Sequence, residues 1–453
     1  MHNESHYSVT IDPVSRIEGH LKIKVEISDG IVVDAWSTGS LWRGLEEILK
    51  NRDYRDAVQF SQRICGVCPT SHAIASASAV ENALGIEVPD GAILLRNLLF
   101  GAEHLMSHIA ALYLLEGPDY ASAFPELEPF TGKYYLQAAK KKVMAHEMSA
   151  IFGGRAPHPA SVVVGGTTFF PSFDKIKRFG FILREVREWV GERVVADVEK
   201  IAKEFSEYRE IGGGTKNFLS FGAFPQRGQQ PFYLPGVFSD GHKQLLDSGR
   251  IRESVEYSWF GDGSVEGENF PAMDKRNAYS WAKAPRYDGA VFEVGPLSRS
   301  IIAGKRKARP SVLDRLEARA EETVALCSKM EEWLSQAEPE MPCWNKEGWK
   351  SDKACFGQGL TEAPRGALGH WAWLKRGRIA RYSVVPPTTW NASPRDEKEQ
   401  RGAIEQALLG TPVKNAEHPV EVLRVVRSFD PCLACACHVL DLDEKKQFDV
   451  RVL

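Results

Sequence analysis

Residues 63–72 read Arg63-Ile64-Cys65-Gly66-Val67-Cys68-Pro69-Thr70-Ser71-His72, and this stretch decides how the rest of the 453-residue chain is read. Two thiols at C-x-x-C spacing can fall on one small ion. A second pair stands near the other end, in Asp430-Pro431-Cys432-Leu433-Ala434-Cys435-Ala436-Cys437-His438. By base rate, four cysteines in two such pairs first suggest structural zinc. Three features argue against it. The pairs lie too far apart in the chain to staple a local knuckle. Each is followed by a histidine, His72 or His438, which gives more polar groups than a closed tetrahedral site requires. Arg63 and Asp430 add charges for which a structural ion has little use. Soft thiolates favour zinc, copper(I), iron–sulfur or nickel, and the residues alone do not choose among them.

Outside these pairs the composition is that of an ordinary soluble globular protein, 43% apolar and 26% charged. With 57 basic and 60 acidic side chains the net charge is −3, so the basic surplus of a nucleic-acid binder is missing. Cys327, Cys343 and Cys355 stand apart and are expected as small buried hydrophobes. Paired C-x-x-C in a long chain without a secretion signal points to metal or redox chemistry more than to disulfides. The most apolar stretch, Ala92 to Leu115, is broken by Arg96, Glu103, His104 and His108, so no transmembrane segment is expected. The N-terminus shows no basic region followed by an apolar one. A cytoplasmic location is therefore the default, with a periplasmic or membrane-associated one if a partner chain carries the export signal.

Length suggests two to four domains, or one intertwined unit over 1–453. Residues 1–40 read as an antiparallel meander: Leu21 to Ile27 alternates apolar and charged, and Asp29-Gly30 turns into Ile31-Val32-Val33. Residues 41–211 read as a helical core holding the first cysteine pair. Helical spacing runs over Asn97–Leu115, stopping at Gly117-Pro118, and over Tyr135–Phe152, stopping at Gly153-Gly154. The longest candidate is Ser172–Tyr208, with Ile176, Phe179, Ile182, Val186, Val190 and Val194 on one face. Residues 212–305 are rich in Gly, Pro and aromatics and read as irregular structure with short strands. Residues 306–438 read as a helix, Ser311–Gln336, followed by loops carrying the second pair. The fold class is thus α+β, mainly α, with a long-helix bundle core, the N-terminal meander and small peripheral α/β regions.

Both cysteine motifs, in order, resemble the R-x-C-G-x-C-x-x-x-H and D-P-C-x-x-C-x-x-H signatures of nickel–iron hydrogenase large subunits. The likeness extends through PVSRIEGHLKI at Pro13–Ile23, LWRGLEEIL at Leu41–Leu49, EAPRGALGHW at Glu362–Trp371 and PPTTWNASPRD at Pro386–Asp396. It implies a catalytic subunit that cleaves H2 reversibly and heterolytically into protons and electrons, in the uptake direction. The same site on a hydrogen sensor is the alternative, and a zinc-stabilised structural protein a distant one.

The resemblance also implies roles. Cys65 and Cys432 would be terminal nickel ligands, while Cys68 and Cys435 bridge nickel to an iron carrying CO and CN. Glu18, in RIEGH, would receive a proton from the Cys432 thiolate. Arg365 would act over the open coordination site, as a base or through its charge, aimed by Asp430. Free arginine, with a pKa above ~12, is a poor base. Pro387 and Thr388 would line the diatomic ligands, Thr388 donating to a cyanide, with Pro386 beside them. Glu46, the Val384 carbonyl and His438 would hold a magnesium or iron ion. Glu103 would stand in an acidic position behind the site, and Cys437 would be a bystander.

Read alone, Glu18 and Glu46 are ordinary solvated carboxylates, and Arg365–Asp430 a structural ion pair. With no further cysteine cluster in the chain, iron–sulfur clusters are expected in a small partner subunit. The family likeness further implies a precursor whose segment 439–453 a maturation protease removes after His438, once nickel-insertion factors have acted.

Overall fold

The computed structural model describes residues 6–262, 269–345 and 353–436. Cys437, His438 and the 439–453 extension lie outside the described residues, as do the expectations placed on them.

The chain opens with the antiparallel meander β1 (His6–Ile11), β2 (Leu21–Ser28) and β3 (Ile31–Gly39). Leu21, Ile23, Val25 and Ile27 face the core while Lys22, Lys24 and Glu26 face outward, as the alternation requires. Asp29 and Gly30 both have positive φ, 51° and 77°, the pair of left-handed residues that a two-residue hairpin turn needs.

Helices follow: α1 (Pro69–Leu84), α2 (Asp90–Ile109), α3 (Lys133–Gly153) and α4 (Phe173–Glu204). Then come the short α5 (Pro296–Ile302) and the long α6 (Val312–Ser335). α2 packs on α3 and α6, and α4 on α3 and α6, giving the expected bundle. α3 stops at Gly154, which takes φ 77° as a left-handed cap. α2 begins seven residues before its amphipathic stretch, just after Pro89, and runs into a wider turn at Ala110–Glu116. The helical span Asp90–Tyr120 is long and apolar enough to cross a membrane by length and composition, yet 89% of its apolar window is buried inside the fold. It is the central core helix.

The region 212–305 holds short strands and α5, in keeping with the irregular reading. Beyond α6 the expectation of loops needs correction. Residues 355–385 form a further three-stranded antiparallel sheet, β4 (Cys355–Ala363), β5 (Gly366–Lys375) and β6 (Arg378–Val385). β4 lies directly on α1. Gly357 and Gly359 permit this, because a Cβ on Gly359 would run into the Ala75 carbonyl and sit 2.6 Å from the Ala79 nitrogen. Cys327 and Cys343 are buried as expected, but Cys355, at the edge of this sheet, is half-exposed. The chain then forms α7 (Pro387–Asn391), α8 (Val420–Ser428) and the single turn α9 (Leu433–Ala436).

Candidate metal centre

Cys65 follows a short 3-10 turn in extended conformation, and Cys68 caps α1, whose first residue is Pro69. Pro is suited to that position because the first helical N–H has no partner to lose. The N–H groups of Val67 and Cys68 both point at Cys65 Sγ, at 3.2 Å. Cys432 pairs with Glu18 in a lone parallel bridge, sealed by Leu433 N–H donating to the Glu18 carbonyl at 2.7 Å. Gly19, at φ 79°, makes that approach possible: a Cβ there would collide with the backbone of Leu433 and Ala434. The first and last parts of the chain thereby meet at one point.

The four thiols converge. Cys65 and Cys432 are 3.4 Å apart, Cys68 and Cys435 3.3 Å, Cys432 and Cys435 2.9 Å. All four sulfurs lie within 4.8 Å of one another and all four residues are buried. This is a soft donor set that a cationic centre fits and that neutral thiols alone would fill poorly. Burial opposes ionisation at Cys65, but the neighbouring thiols of Cys432, Cys435 and Cys68 and the Arg365 charge outweigh it, so its thiol sits well below the ordinary range. Cys432 is held well above its range by burial and by the surrounding sulfurs.

Around the sulfurs stand the residues singled out from the sequence. Cys432 Sγ is 3.1 Å from Glu18 Oε2. Burial and the nearby Cys65 push the Glu18 carboxyl up, against the opposing pull of Cys432 and Arg365. Arg365 donates from Nε to the Asp430 carbonyl at 2.7 Å and from Nη2 to Asp430 Oδ1 at 3.1 Å. Its Nη1 is buried and has no hydrogen-bond partner among the described residues. Although burial opposes its charge, Asp430 and the cysteines raise its pKa further, so this guanidinium is no proton acceptor. Thr388 Oγ1 accepts the Cys432 N–H at 2.9 Å, and its hydroxyl hydrogen is left to donate elsewhere. Pro387 opens α7 beside it, buried.

Glu46 and Val384 also come together, with Glu46 Oε1 accepting the Val384 N–H at 2.8 Å. Lys283, which the sequence did not single out, lies 3.6 Å from Glu46 and 3.5 Å from Glu253. Glu103 accepts from the N–H groups of Thr70 and Ser71 at 2.6 and 2.9 Å, so it fastens the start of α1, and with it Cys68.

Two further supports were not legible beforehand. Arg43 donates to the carbonyls of Arg63 at 3.1 Å, Ile64, and Ala434 at 2.6 Å, tying one cysteine loop to the other. His72 continues into a buried chain: its Nδ1 is 3.0 Å from His370 Nε2, and His370 Nδ1 is 2.8 Å from the Tyr382 hydroxyl. Tyr382 in turn donates to Ser76 Oγ at 2.8 Å, locking α1 to β5 and β6. Burial lowers the His72 pKa to about 4, so it serves as a neutral link.

A family profile described as nickel-dependent hydrogenase matches residues 43–128, 121–312 and 304–438, and one described as HoxL-like matches residues 8–36. The periplasmic NiFeSe hydrogenase large subunit of Desulfomicrobium baculatum is 38% identical, covering 98% of this chain and 97% of that protein. The uptake hydrogenase large subunit of Rhizobium leguminosarum bv. viciae is 32% identical, covering 98% and 97%. Among solved structures, the Ni-Fe-Se hydrogenase of Desulfovibrio vulgaris Hildenborough superposes with a TM-score of 0.90 at 38% identity, covering 96% of this chain and 100% of that one. All four converging positions here are cysteine.

Proposed function

The chain belongs to the nickel-dependent hydrogenase family as a large, catalytic subunit acting on H2, and from that premise we propose how its residues divide the work. The observation that carries the assignment is the convergence of four buried thiols within 4.8 Å. Cys65 and Cys432 would serve as ligands to nickel, and Cys68 and Cys435 as ligands to nickel and iron. A Ni–Fe centre bound there, with CO and CN on iron, would supply redox and Lewis-acid chemistry for the cleavage of H2.

The protein handles the proton. Cys432 Sγ holds it first and passes it over 3.1 Å to Glu18 Oε2, a carboxyl whose raised pKa suits it to accept. Arg365, fixed by Asp430, contributes charge over the centre rather than basicity, through an Nη1 whose hydrogens no described residue takes. Thr388 and Pro387 line the diatomic ligands. Glu46, the Val384 carbonyl and His438 hold a second ion, magnesium or iron. Here Lys283, 3.6 Å away, holds Glu46 in place.

Beyond the chain, an iron–sulfur small subunit carries the electrons away, since the remaining cysteines are scattered. The physiological direction is uptake, in line with the names of two relatives. Location follows the partner: cytoplasmic by default, periplasmic if the pair is exported together. Removal of 439–453 by a maturation protease, after nickel-insertion factors have acted, completes the site.

An infrared spectrum of the purified complex, with nickel quantified on the same sample, tests the reading. Carbonyl and cyanide stretching bands with nickel near one per chain are expected. Bound zinc without such bands would overturn the assignment of the four cysteines.

A further inference from the structure

Among the described residues the Arg365 guanidinium donates only two hydrogen bonds, yet its loop is also fastened by a second arginine. Arg299, on α5, is buried and uses every donor it has. Nε donates to Glu322 Oε2 at 2.8 Å and Nη2 to Glu322 Oε1 at 2.6 Å. Nη1 donates to Glu362 Oε2 at 2.8 Å and to the Ala363 carbonyl at 3.1 Å, and Nη2 to the Pro364 carbonyl at 3.0 Å. A guanidinium has five N–H groups, and all are used. Three of the five reach residues 362–364, the three that lead into Arg365.

The same helix holds the other side of the loop. Gly295, just before α5, lies so close that a Cβ on it would meet the Arg365 carbonyl at 3.1 Å. A Cβ on Gly366 would sit 2.6 Å from the Gly295 nitrogen. Val294 is clasped by Asn391 of α7 through its N–H at 3.1 Å and its carbonyl at 2.9 Å, which ties this strap to the helix that carries Pro387 and Thr388. Behind Arg299, Glu322 on α6 also accepts from His108 of α2 at 2.9 Å. The core bundle thus reaches the Arg365 loop through one fully bonded side chain.

We propose that Arg299 is a positioning residue for the hydrogenase reaction, setting the Arg365 guanidinium over the four-cysteine centre by fixing the carbonyls of Ala363 and Pro364. The proposal rests on the reading of Arg365 given above. Lysine at 299 would keep the charge but not the fork, releasing at least one carbonyl.

The test compares three variants of the assembled complex at equal nickel content: Arg299→Lys, Arg365→Lys and both together. Arg96→Lys serves as a matched control, because Arg96 is also buried, pairs with Glu81 at 2.6 Å and clamps the carbonyls of Val163 and Gly166, far along the chain from Arg365. In Arg299→Lys, turnover per nickel is expected to fall ~10- to 100-fold, the range for a catalytic group displaced by about 1 Å. Arg96→Lys should lose comparable Tm but little turnover. The double variant should be no slower than Arg365→Lys alone, and the infrared bands of Arg299→Lys should shift in the same direction as those of Arg365→Lys. Glu322→Gln, a milder loosening of the same fork, should slow turnover several-fold and stands in if Arg299→Lys does not assemble. Unchanged turnover in these variants, or losses that multiply in the double variant, would overturn the proposal while leaving the role of Arg365 standing. Full turnover in Arg365→Lys would remove that role and the proposal with it.

Discussion

Cys432 and Glu18, 414 residues apart in the chain, face each other at 3.1 Å from sulfur to carboxylate oxygen. The backbone holds them there as firmly as the side chains do, since the Glu18 carbonyl takes the Leu433 N–H and Glu18 Oε2 also takes the Ala434 N–H at 3.2 Å. A proton on the thiol therefore has a carboxylate within hydrogen-bond reach among the described residues, already oriented.

Glu18→Gln keeps those backbone contacts and removes the acceptor. H2 oxidation is expected to fall ~100-fold or more, the scale of a lost general base, with nickel content unchanged. Turnover per nickel, measured with an artificial electron acceptor, checks this; wild-type turnover would exclude Glu18 from the proton route.

Thr388→Val leaves the Cys432 amide buried without its acceptor. The expected cost is ~1–3 kcal/mol, from one unsatisfied buried N–H. Calorimetric Tm should drop, and Thr388→Ser, which restores the oxygen, should recover most of it.

Glu116 gives the molecule a pH dependence. One oxygen meets Arg319 at 2.7 Å, the other has no partner among the described residues, and burial pushes its pKa up to about 8 despite the arginine. Because the folded value lies above the ordinary 4.5, its contribution to stability is full below about 4.5 and is lost as pH rises through about 8. Glu116→Gln mimics the protonated form, so Tm should match wild type near pH 5 and exceed it near pH 9. Parallel Tm curves across that window would contradict the assignment.

Gly359→Ala tests the contact between β4 and α1. The added methyl would meet the Ala75 carbonyl, and overpacking of this kind costs ~1–3 kcal/mol or more. Because Cys68 caps the same helix, nickel content should fall along with Tm. Retained nickel at a lowered Tm would show that the helix start is insulated from its middle.

The sequence made the long amphipathic helices and the meander legible, because each buries one face at a fixed period. α1 escaped notice for the opposite reason: Ala73, Ala75, Ala77 and Ala79 are all buried along with Ser71 and Ser76, so small residues surround the helix and no stripe appears. β4 and β5 were hidden by glycines at 357, 359, 366 and 369, which weaken strand propensity locally but make room for α1, the Val294–Gly295 segment and Trp371. At the centre, motif residues were readable and their supports were not. Arg43, Arg299 and His370 act on partners that are tens or hundreds of positions distant, and one-dimensional spacing carries no trace of such pairings. Glu103 was visible as an acidic residue near the site, but only the fold shows that it fastens the start of α1.

The separation of 367 residues between Cys65 and Cys432 also sets a schedule. At ~5–20 residues per second, a ribosome needs roughly 20 to 70 seconds to travel from the first thiol pair to the second. Throughout that interval the early pair has emerged without the late one, a bidentate chelator open to whatever thiophilic ion is at hand. Only once the second pair has been made can a four-sulfur pocket close. Four-sulfur metal binding on this architecture cannot begin before the second pair has emerged.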